Sequence, residues 1–209
     1  MTETLLRTVD GLAGLWRRTL LIDVDGSQDP TAGVCWLQGP SLFVDLRLPR
    51  EGRPVEGFAG RFVCEGDVFE WRRTIDLGPT RDIPDAATLH IECGVVVETG
   101  VHAPYIEHWV RSPEDTEKCW GAELVATDGS HAIVVRSGQR FGWAMQTPAG
   151  ASISIGVVDS DRWIIASSSD PHQQGHDLAL FVSETTAHTT HDMNTRTWIL
   201  SYSEGDDLL

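Results

Sequence analysis

One pattern recurs about a dozen times along these 209 residues, and it leaves little freedom in choosing a fold. Runs such as SLFVDLRLP, DVFEWRRTIDL, TLHIECGVVVET, YIEHWVRS, HAIVVRSG and TRTWILSYS alternate apolar with polar side chains and end at Gly, Pro, Asp or Ser. An alternation of two residues puts successive side chains on opposite faces of a strand, and short strands joined by brief turns build antiparallel barrels or sandwiches. No comparable run has the 3.6-residue period of a long helix. The N-terminus departs from this: Leu5, Leu6, Val9 and Leu12 recur at near-helical intervals until Gly11 and Gly14, which predicts a short helix over 1–13. With no linker or shift in composition, the chain reads as a single domain, 1–209, of about ten or more strands, with residues 204–209 a frayed acidic tail.

Charge removes whole classes of partner. Thirty-one acidic residues against 16 basic ones give a net charge of -15, which repels a phosphate backbone or an anionic membrane surface. Nucleic acid and membrane are therefore not expected partners, and no apolar run approaches the roughly 18 residues that span a bilayer. Cys35, Cys64, Cys93 and Cys119 lack Cys-x-x-Cys spacing, and MTETLLRTVDG lacks the features of a secretory leader. Reduced thiols in a cytoplasmic monomer or homodimer fit that pattern. Each thiol also reads simply as a small buried hydrophobe.

The stretch GLAGLWRRTLLIDVDG carries a resemblance. Gly14-Leu15-Trp16 at the start of the first long strand resembles the G-x-W entry of the lipocalin and calycin superfamily, and WLQGPSLFVDLRLP is similar to a strand of microbial lipocalin-like proteins. The resemblance implies an antiparallel lipocalin-like barrel with Trp16 at its closed base beneath a basic residue from the final strand. Arg196, in TRTWILSYS, is the residue it points to, and the pair would be held by cation–π attraction.

Strand parity selects candidate site residues. Tyr105, Glu107, Trp109 and Arg111 share one face of YIEHWVR: an acid or donor, a base, a stacking wall and an oxyanion or carboxylate anchor. Tyr105, Glu107 and Arg111 are thus the catalytic candidates, although cross-strand ion pairing on a barrel exterior would give the same pattern. In SLFVDLRLP, Asp45 and Arg47 oppose the aliphatic face of Leu42, Val44, Leu46 and Leu48. They face solvent if the aliphatic face fills the barrel, the usual arrangement, and face inward if that face is covered by a second layer. Trp36, Gln38, Trp71, Trp109 and Trp143, with Asp45 and Arg47, are the candidate ligand contacts; eight tryptophans can line a cavity as well as fill a core.

These features point to a barrel that takes a small, mostly apolar or aromatic molecule, with cofactor-free acid–base chemistry of lyase, hydratase, isomerase or cyclase type as an extension. A non-catalytic binding or acidic protein-interaction module is the alternative. No cofactor or metal is assigned. His172, His176, His188 and His191 have spacings of four and three but lie in loop-like sequence, so metal binding by them stays open. The serine-hydrolase elbow, the P-loop and the dinucleotide-binding glycine pattern are all missing from the sequence.

Overall fold

The computed structural model describes residues 4–30, 33–48, 54–79, 82–113, 118–191 and 194–205. Eighteen strands account for nearly all of its regular structure. The first ten are β1 (Thr4–Leu5), β2 (Gly14–Ile22), β3 (Gln28–Asp29), β4 (Gly33–Gln38), β5 (Leu42–Leu48), β6 (Glu56–Glu65), β7 (Val68–Asp76), β8 (Ala86–Glu92), β9 (Val95–Gly100) and β10 (Ile106–Arg111). The remaining eight are β11 (Cys119–Val125), β12 (His131–Ser137), β13 (Arg140–Thr147), β14 (Gly150–Asp159), β15 (Arg162–Ser168), β16 (Phe181–Val182), β17 (Thr186–His191) and β18 (Asn194–Gly205).

Strands β2 and β4 to β10 pair each with the next in sequence, and β10 pairs back onto β2, so they close an eight-stranded antiparallel barrel. The other strands, β11 to β18, form an open second sheet, a half-barrel in the order β15-β14-β13-β12-β11-β18-β17-β16. The barrel of ten or more strands expected for the whole chain is thus a closed barrel of eight strands ending at Arg111, with a second sheet laid against it.

The joint between the two layers begins in β5. Leu42, Val44 and Leu46 point out of the barrel and are buried with Ile133, Val135, Ala144, Ile153 and Ile155 of the second sheet. Gly142 makes that approach possible, since a Cβ there would lie 2.7 Å from the Cβ of Val44. A polar clamp reinforces the joint. The Glu204 carboxylate accepts from the backbone N–H of Ser41 (2.8 Å) and Leu42 (2.6 Å), from the Ser41 hydroxyl, and from Tyr202 Oη (3.1 Å). The tail expected to fray therefore starts as an anchored strand end, and only 206–209 lie outside the described residues. The opposite face of the second sheet buries Trp120, Trp143, Trp163 and Trp198 beneath Leu180 and Val182.

Two expectations at the barrel base are corrected. Residues 4–13 form no helix: Thr4–Leu5 pairs with β8, the Leu6 N–H continues that pairing to Leu89 O (2.9 Å), and Gly11 and Gly14 take φ of +78° and +135°. Sheet edge and left-handed glycines outcompete a helix too short to stabilise itself. The residue over Trp16 is Arg111, its guanidinium carbon 5.3 Å from the ring and its Nη2 donating to Gly11 O (3.0 Å). Arg196 belongs to the second sheet, where it lies over Trp198 and bonds Ser130. The last strand of the chain is not the last strand of the barrel; β10 is, and it carries the basic residue that the resemblance called for.

Gly142→Ala is expected to destabilise the fold by about 1–3 kcal/mol, since the new methyl forces apart two layers packed at contact distance. Urea unfolding checks this, and an unchanged midpoint would mean that the layers are not closely joined at β5.

Candidate site at the open end of the barrel

With its aliphatic face covered by the second sheet, β5 turns Phe43 and Asp45 into the barrel, opposite the usual arrangement for this pattern. The barrel core then divides in two. Toward the base it is aromatic: Trp36 meets the rings of Trp16, Phe62, Trp71 and Trp109 at centroid distances of 5.3–5.9 Å. Its indole N–H donates to Gln38 Oε1 (2.9 Å). Trp36, Gln38 and Trp109 are thus packed into one another, where a ligand wall would leave space between rings. Trp143 is on the second sheet, against Trp198 at 5.6 Å, and shares no space with the others.

Toward the other end the core is polar. Glu98 and Glu107 stand directly opposite one another on β9 and β10, both 4% exposed, and Asp45 is 2% exposed. Glu107 pairs with Arg18 of β2, and Asp45 accepts from Arg47 Nε (2.8 Å). Glu98 differs in having neutral partners: Tyr105 Oη donates to its Oε1 (2.8 Å) and Trp109 Nε1 to its Oε2 (2.9 Å). Burial pushes the Glu98 carboxyl well above the ordinary carboxylate range, and Glu107 across the strand pair adds to the shift. Burial also raises Asp45, with Arg47 opposing, and keeps Tyr105 protonated far above the usual phenol range, so the phenol acts as a donor.

Arg73 of β7 and Asp85, just before β8, carry this cluster to the surface. The Arg73 guanidinium lies 3.4 Å from the Phe58 ring, Arg47 lies over the same ring at 5.0 Å, and Arg73 pairs with both Asp76 and Asp85. Above Glu70, β7 has parted from β8, and a cleft of about 620 Å³ opens there, lined by Trp71, Arg73, Asp76, Ile83, Asp85 and, from the second sheet, Gln146 among others. Arg18 Nε and Arg73 Nε are buried without hydrogen-bond partners among the described residues.

The structure brings together Tyr105, Glu107, Asp45 and Arg47 and leaves Arg111 apart. Strand β10 rises about 3.3 Å per residue, so Tyr105 and Arg111 stand roughly 20 Å apart at opposite ends of the barrel. Glu98, Arg18, Arg73 and Asp85 were not anticipated. A signal for Glu98 existed: it is the lone acid in VVVE, on the same parity as Val96. Arg18 shares a face with Trp16, but a bulge at Thr19 turns Leu20 outward and breaks the simple alternation. Of the histidines, His172 lies in a one-turn 3₁₀ segment and His188 Nδ1 meets Thr197 Oγ1 (3.2 Å). The His191 side chain is outside the described residues, and among those described no group of three or more His, Cys, Asp or Glu is placed to hold a metal. No helix among them is long and apolar enough to cross a membrane.

No protein-family model matches the chain, and comparison with curated proteins gives no match. A crystal structure of an uncharacterized protein, YLR301w, from Saccharomyces cerevisiae is similar in fold, with a TM-score of 0.66 over 91% of this chain and 98% of that one. At 14% identity the likeness is one of fold alone. The closed antiparallel barrel is consistent with a calycin-like architecture.

Glu98→Gln tests the state of the buried acid, because an amide mimics the neutral carboxyl. A raised pKa means that Glu98 keeps its proton in the fold where the unfolded chain has lost it. The stability it provides is complete below the ordinary carboxylate pKa and is lost as pH rises through the raised value. Urea unfolding between about pH 5 and 8 should therefore show the wild type losing stability relative to Glu98→Gln as pH rises. A constant difference would mean that Glu98 is ionised throughout.

Proposed function

We propose that this is a lipocalin-like binding protein that takes a small molecule with an apolar or aromatic body at the open end of its barrel. Two features support the lipocalin-like part: the meander closure of the eight strands, and Gly14-Leu15-Trp16 under an arginine of the closing strand. The observation that carries the binding reading is the cleft itself, lined by Arg73 and Asp85, whose charges act on the buried Asp45 and Glu98. Aromatic rings occupy the base, so the ligand belongs at the mouth. There Ile83 and Pro84 offer an apolar wall beside Trp71, and Arg73, Asp76 and Asp85 are the polar groups that fix orientation.

Proton-transfer chemistry of lyase or isomerase type is the second reading, favoured by the facing pair Glu98 and Glu107. A carboxyl that holds its proton beside a carboxylate paired with arginine is an arrangement suited to an acid and a base. In that reading Glu98 takes the acid role, Glu107 the base, and Tyr105 positions Glu98.

Screening isotope-labelled protein against a library of small aromatic compounds tests the binding reading. Hits are expected to move the Trp71 indole and Arg73 Nε–H signals while those of Trp143 and Trp198 stay in place. If no compound moves Trp71 or Arg73, the binding reading fails. For the catalytic reading, Glu98→Gln should retain such hits yet abolish any turnover; turnover that survives it removes Glu98 from the chemistry.

A further inference from the structure

Strands β7 and β8 part where a longer ladder would continue. They pair over 68–70 and 86–88, and among the described residues the last backbone bond between the two segments is Trp71 N–H to Asp85 O (2.9 Å). Beyond it β7 runs on to Asp76, paired with β6 along its other edge, while the chain that leads into β8 diverges. The cleft of about 620 Å³ occupies the gap, with residues 71–74 on one wall and 82–85 on the other. Trp71 N–H faces Asp85, so by the alternation of the ladder Arg73 is the next residue to turn its backbone toward the gap. A side chain bridges the place of the missing ladder: Arg73 Nη1 donates to Asp76 (3.0 Å) and its Nη2 pairs with Asp85. The Nε of the same guanidinium is buried with no acceptor among the described residues.

We propose that the cleft takes a short extended peptide, alternating basic with apolar side chains, added as a strand along the free edge of β7 between Trp71 and Asp76. This rests on the reading of the barrel mouth as a ligand site and names the ligand class. A strand edge beside a groove lets main-chain hydrogen bonds give affinity while alternate side chains give specificity. At about 3.3 Å per residue the edge is roughly 16 Å long, room for about four residues.

Charge and shape at the rim select the sequence. Arg72 is paired with Glu65 and Glu70, and Arg73 with Asp76 and Asp85, while Asp82, exposed on the rim, is in no ion pair among the described residues. An acidic peptide therefore meets carboxylates and arginines that are already paired, and a basic one meets complementary charge, with the net charge of -15 acting in the same sense. Ile83, 62% exposed on the wall opposite β7, and Pro84 beside it provide the contact for the apolar positions.

The capped peptide Lys-Val-Lys-Val tests the proposal against two controls of the same length: Glu-Val-Glu-Val, and Lys-Val-Lys-Val with every backbone amide N-methylated. The second control keeps the charge and cannot donate to a strand. Titrated into isotope-labelled protein, the basic peptide is expected to shift the backbone N–H signals of Arg73 and Thr74, and each control to bind about tenfold more weakly or less. Asp82→Asn, at an exposed residue outside the core, should weaken the basic peptide about two- to threefold without affecting folding. Equal binding of the N-methylated peptide would overturn strand addition. Equal binding of the acidic peptide, or indifference to Asp82→Asn, would overturn the choice of basic sequence. If small aromatic compounds move the Trp71 signal and none of the peptides binds, the peptide class fails and the binding reading stands; if neither compounds nor peptides bind, both fail.

Discussion

The covering of one face of β5 decides what the barrel can contain. A strand reading Leu-Phe-Val-Asp-Leu-Arg-Leu has two faces to bury, one aliphatic and one mixed, and an isolated barrel would put the aliphatic one inside. Here Ile133, Val135, Ala144 and Ile153 cover Leu42, Val44 and Leu46 from outside. The aliphatic face leaves water without entering the barrel, and Asp45 enters in its place. A second sheet thus permits a polar barrel interior. The Glu204 clamp acts on the same joint, fixing the turn that leads into β5 to the final strand of the chain.

Polar interiors are costly unless their charges are matched, and the matching here is nearly complete. Arg18 with Glu107, Arg47 with Asp45, and Arg73 with Asp76 and Asp85 leave Glu98 as the acid held by neutral donors. Burying an ionised carboxylate without a cation costs far more than burying a protonated one, so burial shifts Glu98 toward its protonated form. Burial, with no paired cation at this one position while each neighbour has one, raises the Glu98 carboxyl above the ordinary carboxylate range.

The alternation made the all-β class legible and grouped Asp45 with Phe43, and Glu107 with Trp109, on shared strand faces, because parity is local and the pleat enforces it. Closure was not local. Whether Asp45 faced water or the interior depended on a sheet assembled from residues 119–205, and no feature within SLFVDLRLP reveals it. Arg111 and Arg196 show the same limit. Each is a basic residue at a strand end near an aromatic ring, and only pairing of β10 with β2 decides which one reaches Trp16. Glu98 was missed because a lone acid among valines reads as a solvent-facing residue until its neighbours across the strands, Leu89 and Glu107, are known.

Division of the barrel into two ends also separates the aromatic packing from the buried ionisable groups. At the base, Gly14 with its φ of +135° brings the backbone to within contact of Arg111, the guanidinium lies over Trp16, and Trp36 ties four rings together. These contacts bury large apolar surfaces and leave no charge to be neutralised except that of one partly exposed arginine. The base can therefore hold the eight strands in register whatever the protonation state at the mouth. Glu98, level with Glu107 and so about 13 Å along β10 from Arg111 by the strand rise, lies away from the contacts on which closure of the barrel depends.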